Sequence, residues 1–162
     1  MSDSVKPIPT GQEGLIPHLV CERCSEAIEF YKKAFGAKER YRIPGPDGKS
    51  IGHAEIVIGD SILMLADEAV SMAKSPQTLG EAGVSMLLYV KDVDKAFQRA
   101  VAAGAKVKEP VENKFYGERA GSVTDPFGHL WTLMTHIEDV TVKEVIKRAA
   151  GFGAKMGAPK EG

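Results

Sequence analysis

The sequence has very little cysteine and no long hydrophobic run. Its two cysteines, Cys21 and Cys24, are too few for the disulfide framework of a small secreted protein. No stretch approaches the roughly 18 consecutive apolar residues of a membrane-spanning helix. Residues 1–14 also lack the apolar segment of a signal peptide. We therefore expect a cytoplasmic protein that does not interact with a membrane.

An excess of charge of either sign is also missing. The chain carries 21 Lys and Arg against 22 Asp and Glu, a formal net charge of −1. A charge this small provides no field to hold nucleic acid or an anionic membrane surface. With 43% hydrophobic and 27% charged residues in a length of 162, the composition is that of one folded domain of ordinary size.

Two segments of the chain show the same order of strand and helix patterns. In the first, an apolar run at 15–21 predicts a strand, and apolar residues three to four positions apart predict a helix that ends at Gly36. Three further strands separated by glycine-containing turns, expected at 38–43, 53–58 and 62–66, complete a βαβββ order.

The same order returns after residues 68–83, which we interpret as a loose connection. A strand at 84–90 precedes a helix that begins after Asp92 and ends at Gly104, and strands follow at 106–111, 120–124 and 130–134. Gly59 matches Gly128, 69 positions further on, and this spacing indicates an internal duplication. We predict an α+β fold of two tandem βαβββ modules, at 14–67 and 84–139, within one domain.

The two ends of the chain belong to neither module. Residues 1–13 are polar and contain two prolines, so we expect a flexible leader. In residues 140–162, Thr141 and Glu144 fit a capping box, and apolar residues recur on one face up to Ala149. We predict an additional C-terminal helix followed by a glycine-rich tail.

Histidine and carboxylate side chains on the predicted strands are candidates for a binding site. Period-two alternation turns the apolar residues at 54, 56 and 58 towards the helices, so His53 and Glu55 face the other way. His18 lies on the first predicted strand. Two imidazoles and one carboxylate suit a divalent metal ion, and these three residues are the metal-ligand candidates. The alternative is that they are simply hydrogen-bonded or exposed to solvent.

The cysteines suggest a different chemistry. Cys21 and Cys24 lie between a strand and the start of a helix, whose dipole lowers a thiol pKa and favours disulfide exchange. Thiol redox chemistry is therefore one hypothesis for this pair. The other is that both are small, partly buried residues without a chemical role.

The duplicated modules and three stretches of sequence resemble a known family. The stretches are Ala27-Ile28-Glu29-Phe30-Tyr31 with Phe35-Gly36, Gly59-Asp60 with Leu63-Met64-Leu65, and Gly117-Glu118-Arg119 with Thr124-Asp125-Pro126-Phe127-Gly128-His129 and Trp131. From residue 14 to 139 the chain resembles the vicinal oxygen chelate superfamily, which holds glyoxalase I, bleomycin-resistance proteins and extradiol dioxygenases. Its PhnB-like branch is the closest match.

The resemblance implies a cleft round which each module's sheet curls, and a homodimer in which modules are sometimes exchanged between chains. Laid on this sequence, the family's metal-ligand positions fall near Ile16 or His18, on Leu63 or Met64, on Ser85 and on Thr132. Only His18 is an ordinary ligand, because a hydroxyl or a thioether binds such metals poorly. The resemblance therefore favours a small-molecule-binding protein without a metal, such as one that sequesters a toxic compound. The alternative is a metal-dependent lyase, isomerase or dioxygenase that holds a divalent ion at His18, His53 and Glu55.

The ligand cleft is expected to take residues from both modules. The predicted ligand-binding residues are His18, His53, Glu55, Ser85, Tyr89, Arg119 and Thr132. We place Arg119 just before a strand, where its guanidinium could hold a carboxylate or phosphate through a bidentate contact. A surface salt bridge is the alternative for Arg119.

Overall fold

The computed structural model of the chain describes residues 5–155, with side chains up to Gly151. Residues 1–4 of the predicted leader and 156–162 of the predicted tail lie outside the described residues. The first module comprises β1 (His18–Cys21), α1 (Cys24–Phe35), β2 (Lys38–Pro44), β3 (Ile51–Ile58) and β4 (Ser61–Asp67). A 3₁₀ helix (Glu68–Val70) and α2 (Pro76–Leu79) follow. The second module comprises β5 (Ser85–Tyr89), α3 (Val93–Ala102), β6 (Lys106–Asn113), β7 (Glu118–Thr124) and β8 (Leu130–His136), and α4 (Val142–Lys155) comes last.

Each module forms one four-stranded sheet, and the two sheets have the same topology. Their strand orders are β1-β4-β3-β2 and β5-β8-β7-β6. In both, the first strand runs parallel to the fourth, as where Leu19 lies beside Leu65, and the other pairs are antiparallel. The predicted α+β fold of two βαβββ modules with a C-terminal helix is confirmed.

The two modules share one hydrophobic core, and a buried carboxylate lies within it. Helices α1 and α3 pack against each other, and the Phe35 ring lies 4.6 Å from the Trp131 ring. Asp125 accepts hydrogen bonds from the Tyr31 hydroxyl at 2.7 Å and from the Trp131 indole at 2.9 Å. Because Tyr31 belongs to the first module, this carboxylate links the modules inside the core.

The start of α1 is fixed by a second buried carboxylate. Asp67, at the end of β4, accepts hydrogen bonds from the backbone N–H of Cys24 at 2.7 Å and of Ile51 at 2.6 Å. The helix ends at Gly36, whose φ of 68° is a conformation that residues with a side chain rarely adopt. The start of α1 is therefore set by a carboxylate distant in sequence, and its end by the adjacent glycine.

Several element boundaries differ from the sequence-based prediction, most by one or two residues. Strand β1 begins at His18 rather than residue 15, since Pro17 has no N–H to pair, although its carbonyl accepts from Met64 at 3.0 Å. Strand β7 begins at Glu118, two residues before the predicted start. The segment 68–83 contains α2, which Ser75 caps by accepting from the Thr78 N–H. Within residues 5–155, no helix has both the length and the apolar composition to span a bilayer.

Candidate functional site

Each sheet packs one face against the helices and leaves the opposite face open. Val20, Ala66, Ala120 and Met134 are all at most 5% exposed, yet they lie outside the hydrophobic core cluster. We call the open side of the sheet formed by β1 to β4 the first open face, and that of the sheet formed by β5 to β8 the second open face. Val20 and Ala66 lie on the first, and Ala120 and Met134 on the second. The first open face carries His18, Val20, Tyr41, Ile43, His53, Glu55, Met64 and Ala66. The second carries Ser85, Leu87, Tyr89, Glu118, Ala120, Ser122, Thr132, Met134 and His136.

Glu55 is the buried polar centre of the first open face, at 2% exposure. Its Oε1 accepts hydrogen bonds from the Tyr41 hydroxyl at 2.8 Å and the Gln12 amide at 3.2 Å, and its Oε2 accepts from Arg40 at 2.7 Å. Burial alone would raise the pKa of Glu55, but the Tyr41 hydrogen bond and the Arg40 charge hold it below its ordinary value. Both carboxylate oxygens therefore have partners within the chain.

His18 and His53 lie beside this carboxylate. The two imidazole rings are 6.4 Å apart between centroids, and His53 Nε2 is 3.6 Å from Glu55 Oε1. Burial, and then the nearby His53, lower the pKa of His18 below its ordinary value of 6.5. The structure thus brings the three sequence-predicted residues His18, His53 and Glu55 onto one face.

A cavity of about 550 Å³, which we call the shared cavity, lies where the two modules meet. His18 and Val20 of the first open face line it, together with Ser85 of the second and Leu79 of α2. Most of its other lining residues are apolar, among them Ile16, Pro17, Ala82, Val84 and Met86. An apolar cavity of this size with a few polar groups is typical of a small-molecule site.

The second open face has its own polar groups. The hydroxyls of Ser122 and Thr132 lie 2.9 Å apart. Near the end of the face, Glu118 is 8% exposed, and its Oε1 lies 3.3 Å from the Tyr89 hydroxyl and 3.0 Å from His136 Nδ1. Hydrogen bonds to Glu118 and then to Asp139 raise the pKa of His136. The strand register places Tyr89 and Thr132 on the same face as Ser85, as the alternation of side chains along the strands predicts.

Arg119 lies on the opposite side of β7 from these residues. It pairs across the sheet with Thr135, whose hydroxyl bonds to the backbone at the start of α3. Its guanidinium makes a bidentate ion pair with Asp94, at 2.7 and 2.8 Å. The structure shows the salt bridge that was the alternative for this residue, so it does not bring Arg119 together with the other six candidates.

The residues on the open faces do not fit a divalent metal centre. Met64, rather than Leu63, shares the face of His18 and pairs with it, and Thr132 pairs with Leu87. Neither a thioether nor a hydroxyl is a strong ligand for such ions. Among the described residues, no group of three His, Cys, Asp or Glu side chains is arranged to hold a metal ion. The oxygens of Glu55 are already occupied by Tyr41, Gln12 and Arg40.

The two cysteines are free thiols with fully buried side chains. Burial raises the pKa of the Cys21 thiol far above its ordinary range, and burial followed by the Asp67 charge raises the pKa of Cys24 to about 12. A redox thiol needs a lowered pKa and access to solvent. This environment does not support the thiol redox hypothesis.

Several functional candidates escaped the sequence reasoning. Tyr41, Arg40 and Gln12 complete the Glu55 cluster, and Gln12 belongs to the predicted leader. Glu118 and His136 were not assigned a role. A signal for Glu118 existed in its even spacing from Ala120 and Ser122, since residues two apart in a strand share a face.

Comparison with known proteins places this arrangement in a family context. A model of the Glyoxalase/Bleomycin resistance protein/Dioxygenase superfamily matches residues 15–133. The protein Rv0887c of Mycobacterium tuberculosis is 44% identical over 138 residues, which cover 83% of this chain and 81% of that relative. The X-ray structure of the Arabidopsis thaliana gene product At5g48480 is 31% identical, with a TM-score of 0.62, and the match covers 74% of this chain and 96% of that one.

A PhnB protein is also among the similar structures. The PhnB protein from Bacillus cereus has a TM-score of 0.59 at 17% identity, and the match covers 76% of this chain and 99% of that chain. At this level of identity the likeness shows a shared fold. The fold therefore agrees with the PhnB-like resemblance that the sequence motifs indicate.

Proposed function

This chain belongs to the glyoxalase/bleomycin resistance protein/dioxygenase superfamily, and we propose that it binds a small organic molecule on its open faces. The observation that carries the proposal is that buried small and polar residues lie outside the core. Ala66 and Glu55 on one face, and Ala120 and Ser122 on the other, are at most 7% exposed and lie on the faces that the helices leave uncovered. Exposed side chains on the same faces, such as His18, Leu87 and Tyr89, offer contact area and hydrogen-bonding groups to a ligand.

The chemistry of the first open face supports binding in preference to metal-dependent turnover. Glu55 is held by Arg40, Tyr41 and Gln12, so it is not free to ligate an ion or to take a proton. Of the four positions at which the resemblance places the family's metal ligands, three carry Met64, Ser85 and Thr132 here, and only His18 is an ordinary ligand. We propose that His18, His53, Ser85, Tyr89 and Thr132 contact the ligand directly, with no metal ion between them.

The binding test is a thermal-shift screen of a compound library on chelator-treated protein. A ligand at about 100 times its Kd should raise the Tm by about 5–10 °C for a chain of this length. Ser85→Trp places an indole at the rim of the shared cavity and should abolish the rise for ligands that bind there. Gln98→Trp, on the exposed side of α3, is the matched control and should keep it.

Two outcomes would argue against the proposal. A Tm rise that appears only after manganese or nickel is added, accompanied by turnover, would favour the metal-dependent lyase, isomerase or dioxygenase. A rise that persists unchanged in Ser85→Trp for every ligand found, with no amide shift on either open face, would place binding away from the open faces. Elemental analysis of protein purified without chelator would complement the screen, because about one metal per chain would also favour the enzyme.

We further propose that the protein acts in the cytoplasm as a homodimer, in which a second copy closes the cleft. Ile43 and Leu87, at the rims of the two open faces, are 51% and 61% exposed, and exposed apolar side chains of this kind favour association. The two free thiols suit a reducing compartment. Light scattering should give twice the 17.4 kDa mass of one chain, and a mass near 17.4 kDa would contradict the dimer.

A further inference from the structure

The two open faces contain similar acidic clusters, which differ most at the second carboxylate oxygen, while Gln12 contacts only the first cluster. Glu55 on the first face and Glu118 on the second are both buried, and both accept a hydrogen bond from a tyrosine hydroxyl, of Tyr41 and Tyr89 respectively. A histidine lies beside each of them, His53 at 3.6 Å and His136 at 3.0 Å. Because the two clusters are similar, the Glu55 cluster serves as an internal reference for the Glu118 cluster.

The difference concerns the second carboxylate oxygen. Oε2 of Glu55 accepts a hydrogen bond from the Arg40 guanidinium at 2.7 Å. Oε2 of Glu118 is buried and is the one buried side-chain polar atom in the described part of the chain without a hydrogen-bond partner. The side chain of Glu118 is 10% exposed, so water has little access to it. A buried acceptor without a donor is unfavourable, and a charged one is more so.

Two cations of neighbouring segments, Lys114 and Arg148, are engaged elsewhere. Lys114, whose backbone N–H bonds to the Glu118 carbonyl, directs its ammonium to Glu112 at 2.6 Å. Arg148 of α4 is paired with Glu138 at 2.8 and 2.9 Å. His136 is shared between Glu118 and Asp139, so two carboxylates face one imidazole. The Glu118 cluster therefore has more carboxylates than cationic partners, whereas on the first open face Arg40 pairs with Glu55.

We propose that Glu118 anchors a cationic nitrogen group of a small organic ligand, an ammonium, amidinium or guanidinium, on the second open face. The ligand's N–H takes the position at Oε2 that Arg40 takes on Glu55. A charge-assisted hydrogen bond of this kind is about twice as strong as a neutral one. This inference rests on the proposed function, since it names the class of ligand that the second open face receives.

The surroundings of Glu118 suit such a ligand. Tyr89 and His136, which bond to its other oxygen, have exposures of 60% and 52%, so the cluster lies next to solvent. The Tyr89 ring offers a π face to a cation. Leu87, 61% exposed on the same strand, offers apolar contact to the rest of the molecule. The expected ligand therefore combines a cationic nitrogen with an apolar body.

The experiment compares three probes that share one ring and differ in charge: benzamidinium, benzamide and benzoate. Each is titrated into the full-length, metal-free protein while backbone amide NMR signals are followed. We expect benzamidinium to bind at least about tenfold more tightly than the other two, a difference of about 1.4 kcal/mol. Its shifts should centre on Glu118, Ala120 and Thr132. Glu118→Gln should remove the preference, whereas Glu26→Gln, an exposed carboxylate on α1, should keep it.

Equal affinities for the three probes, shifts away from the second open face, or an unchanged preference in Glu118→Gln would overturn the cationic anchor. An absence of any shift up to about 20 mM benzamidinium, well above a weak millimolar Kd, would overturn it too. If Glu118→Gln does not fold, the comparison of the three probes on the unmodified protein decides alone.

The outcome also separates this inference from the proposed function. If the thermal-shift screen finds ligands that Ser85→Trp excludes while benzamidinium shows no preference, the anchor is wrong and open-face binding stands. If the screen and the probes both fail, both proposals are wrong.

Discussion

Removal of the Asp125 side chain should destabilise the protein strongly. Asp125 is 3% exposed and accepts four hydrogen bonds: Oδ2 binds the Tyr31 hydroxyl and the Trp131 indole, and Oδ1 binds the backbone N–H groups of Phe127 and His129. In Asp125→Ala all four donors lose their acceptor inside the core. A buried donor left without a partner costs at least about 1 kcal/mol, so the expected loss is about 4 kcal/mol.

An isosteric change gives a graded version of the same test. Asp125→Asn replaces one oxygen by an NH₂ group, which then faces two donors, so the expected loss is about 2 kcal/mol. Urea unfolding at 25 °C measures both values. For a chain of this size, Tm should fall by about 2–4 °C for each kcal/mol.

The control is a solvent-exposed carboxylate that accepts a similar set of hydrogen bonds. Asp47 accepts from the N–H groups of Lys49 and Ser50 and from the Ser50 hydroxyl, in an exposed turn. Asp47→Ala should cost a small fraction of the Asp125→Ala loss, because water replaces its acceptor. Equal losses at the two sites, or a loss below about 1 kcal/mol for Asp125→Ala, would refute the role of Asp125 as the buried link between the modules.

Three further predictions concern side chains whose surroundings the structure defines. In NMR titrations His18 should protonate below pH 6.5, because burial and a neighbouring imidazole lower its pKa, and His136 above 6.5, because hydrogen bonds to two carboxylates raise it. The His136 contribution to stability is therefore present at acidic pH and lost as the pH rises through its raised pKa, and two unshifted histidines would contradict this. Cys21 and Cys24 should alkylate far more slowly in the native than in the unfolded protein at about pH 8.5, since burial raises both thiol pKa values; equal rates would revive the redox hypothesis. Arg119→Ala should leave the affinity of any open-face ligand unchanged, since its guanidinium is paired with an aspartate on the other side of β7; a large loss of affinity would show that this pairing is exchanged for the ligand.

The order of strands and helices could be predicted because its signals are local. Apolar periodicity defines α1 and α3, and glycine positions such as Gly36 and Gly128 mark the turns between elements. Helix α2 was not predicted because four residues are too few for a periodic pattern. Its capping residue, Ser75, becomes informative only together with Pro76 and Thr78 after it.

The candidate site could be predicted only where the strand register was right. His53 and Glu55 lie in the middle of β3, where alternation fixes the face of each side chain. The predicted β7 began at Ala120, which left the directions of Glu118 and Arg119 open. In the structure both belong to the strand, and their adjacent positions turn them to opposite faces.

The environment of the cysteines depends on tertiary packing that the sequence does not display. The start of α1 would lower a thiol pKa if Cys24 were exposed. Both thiols are instead fully buried between β1, α1 and the neighbouring carboxylate of Asp67, and burial determines the direction of the shift. The same holds for Gln12, whose contact with Glu55 joins residues 43 positions apart.

The most direct test of open-face binding is an amide shift map of a ligand from the thermal-shift screen on metal-free protein. Open-face binding predicts that the largest shifts fall on the residues buried outside the core, Val20 and Ala66 on the first face or Ala120 and Met134 on the second. Largest shifts in the groove beside α1, at Arg23, Phe30 and Phe127, would contradict it.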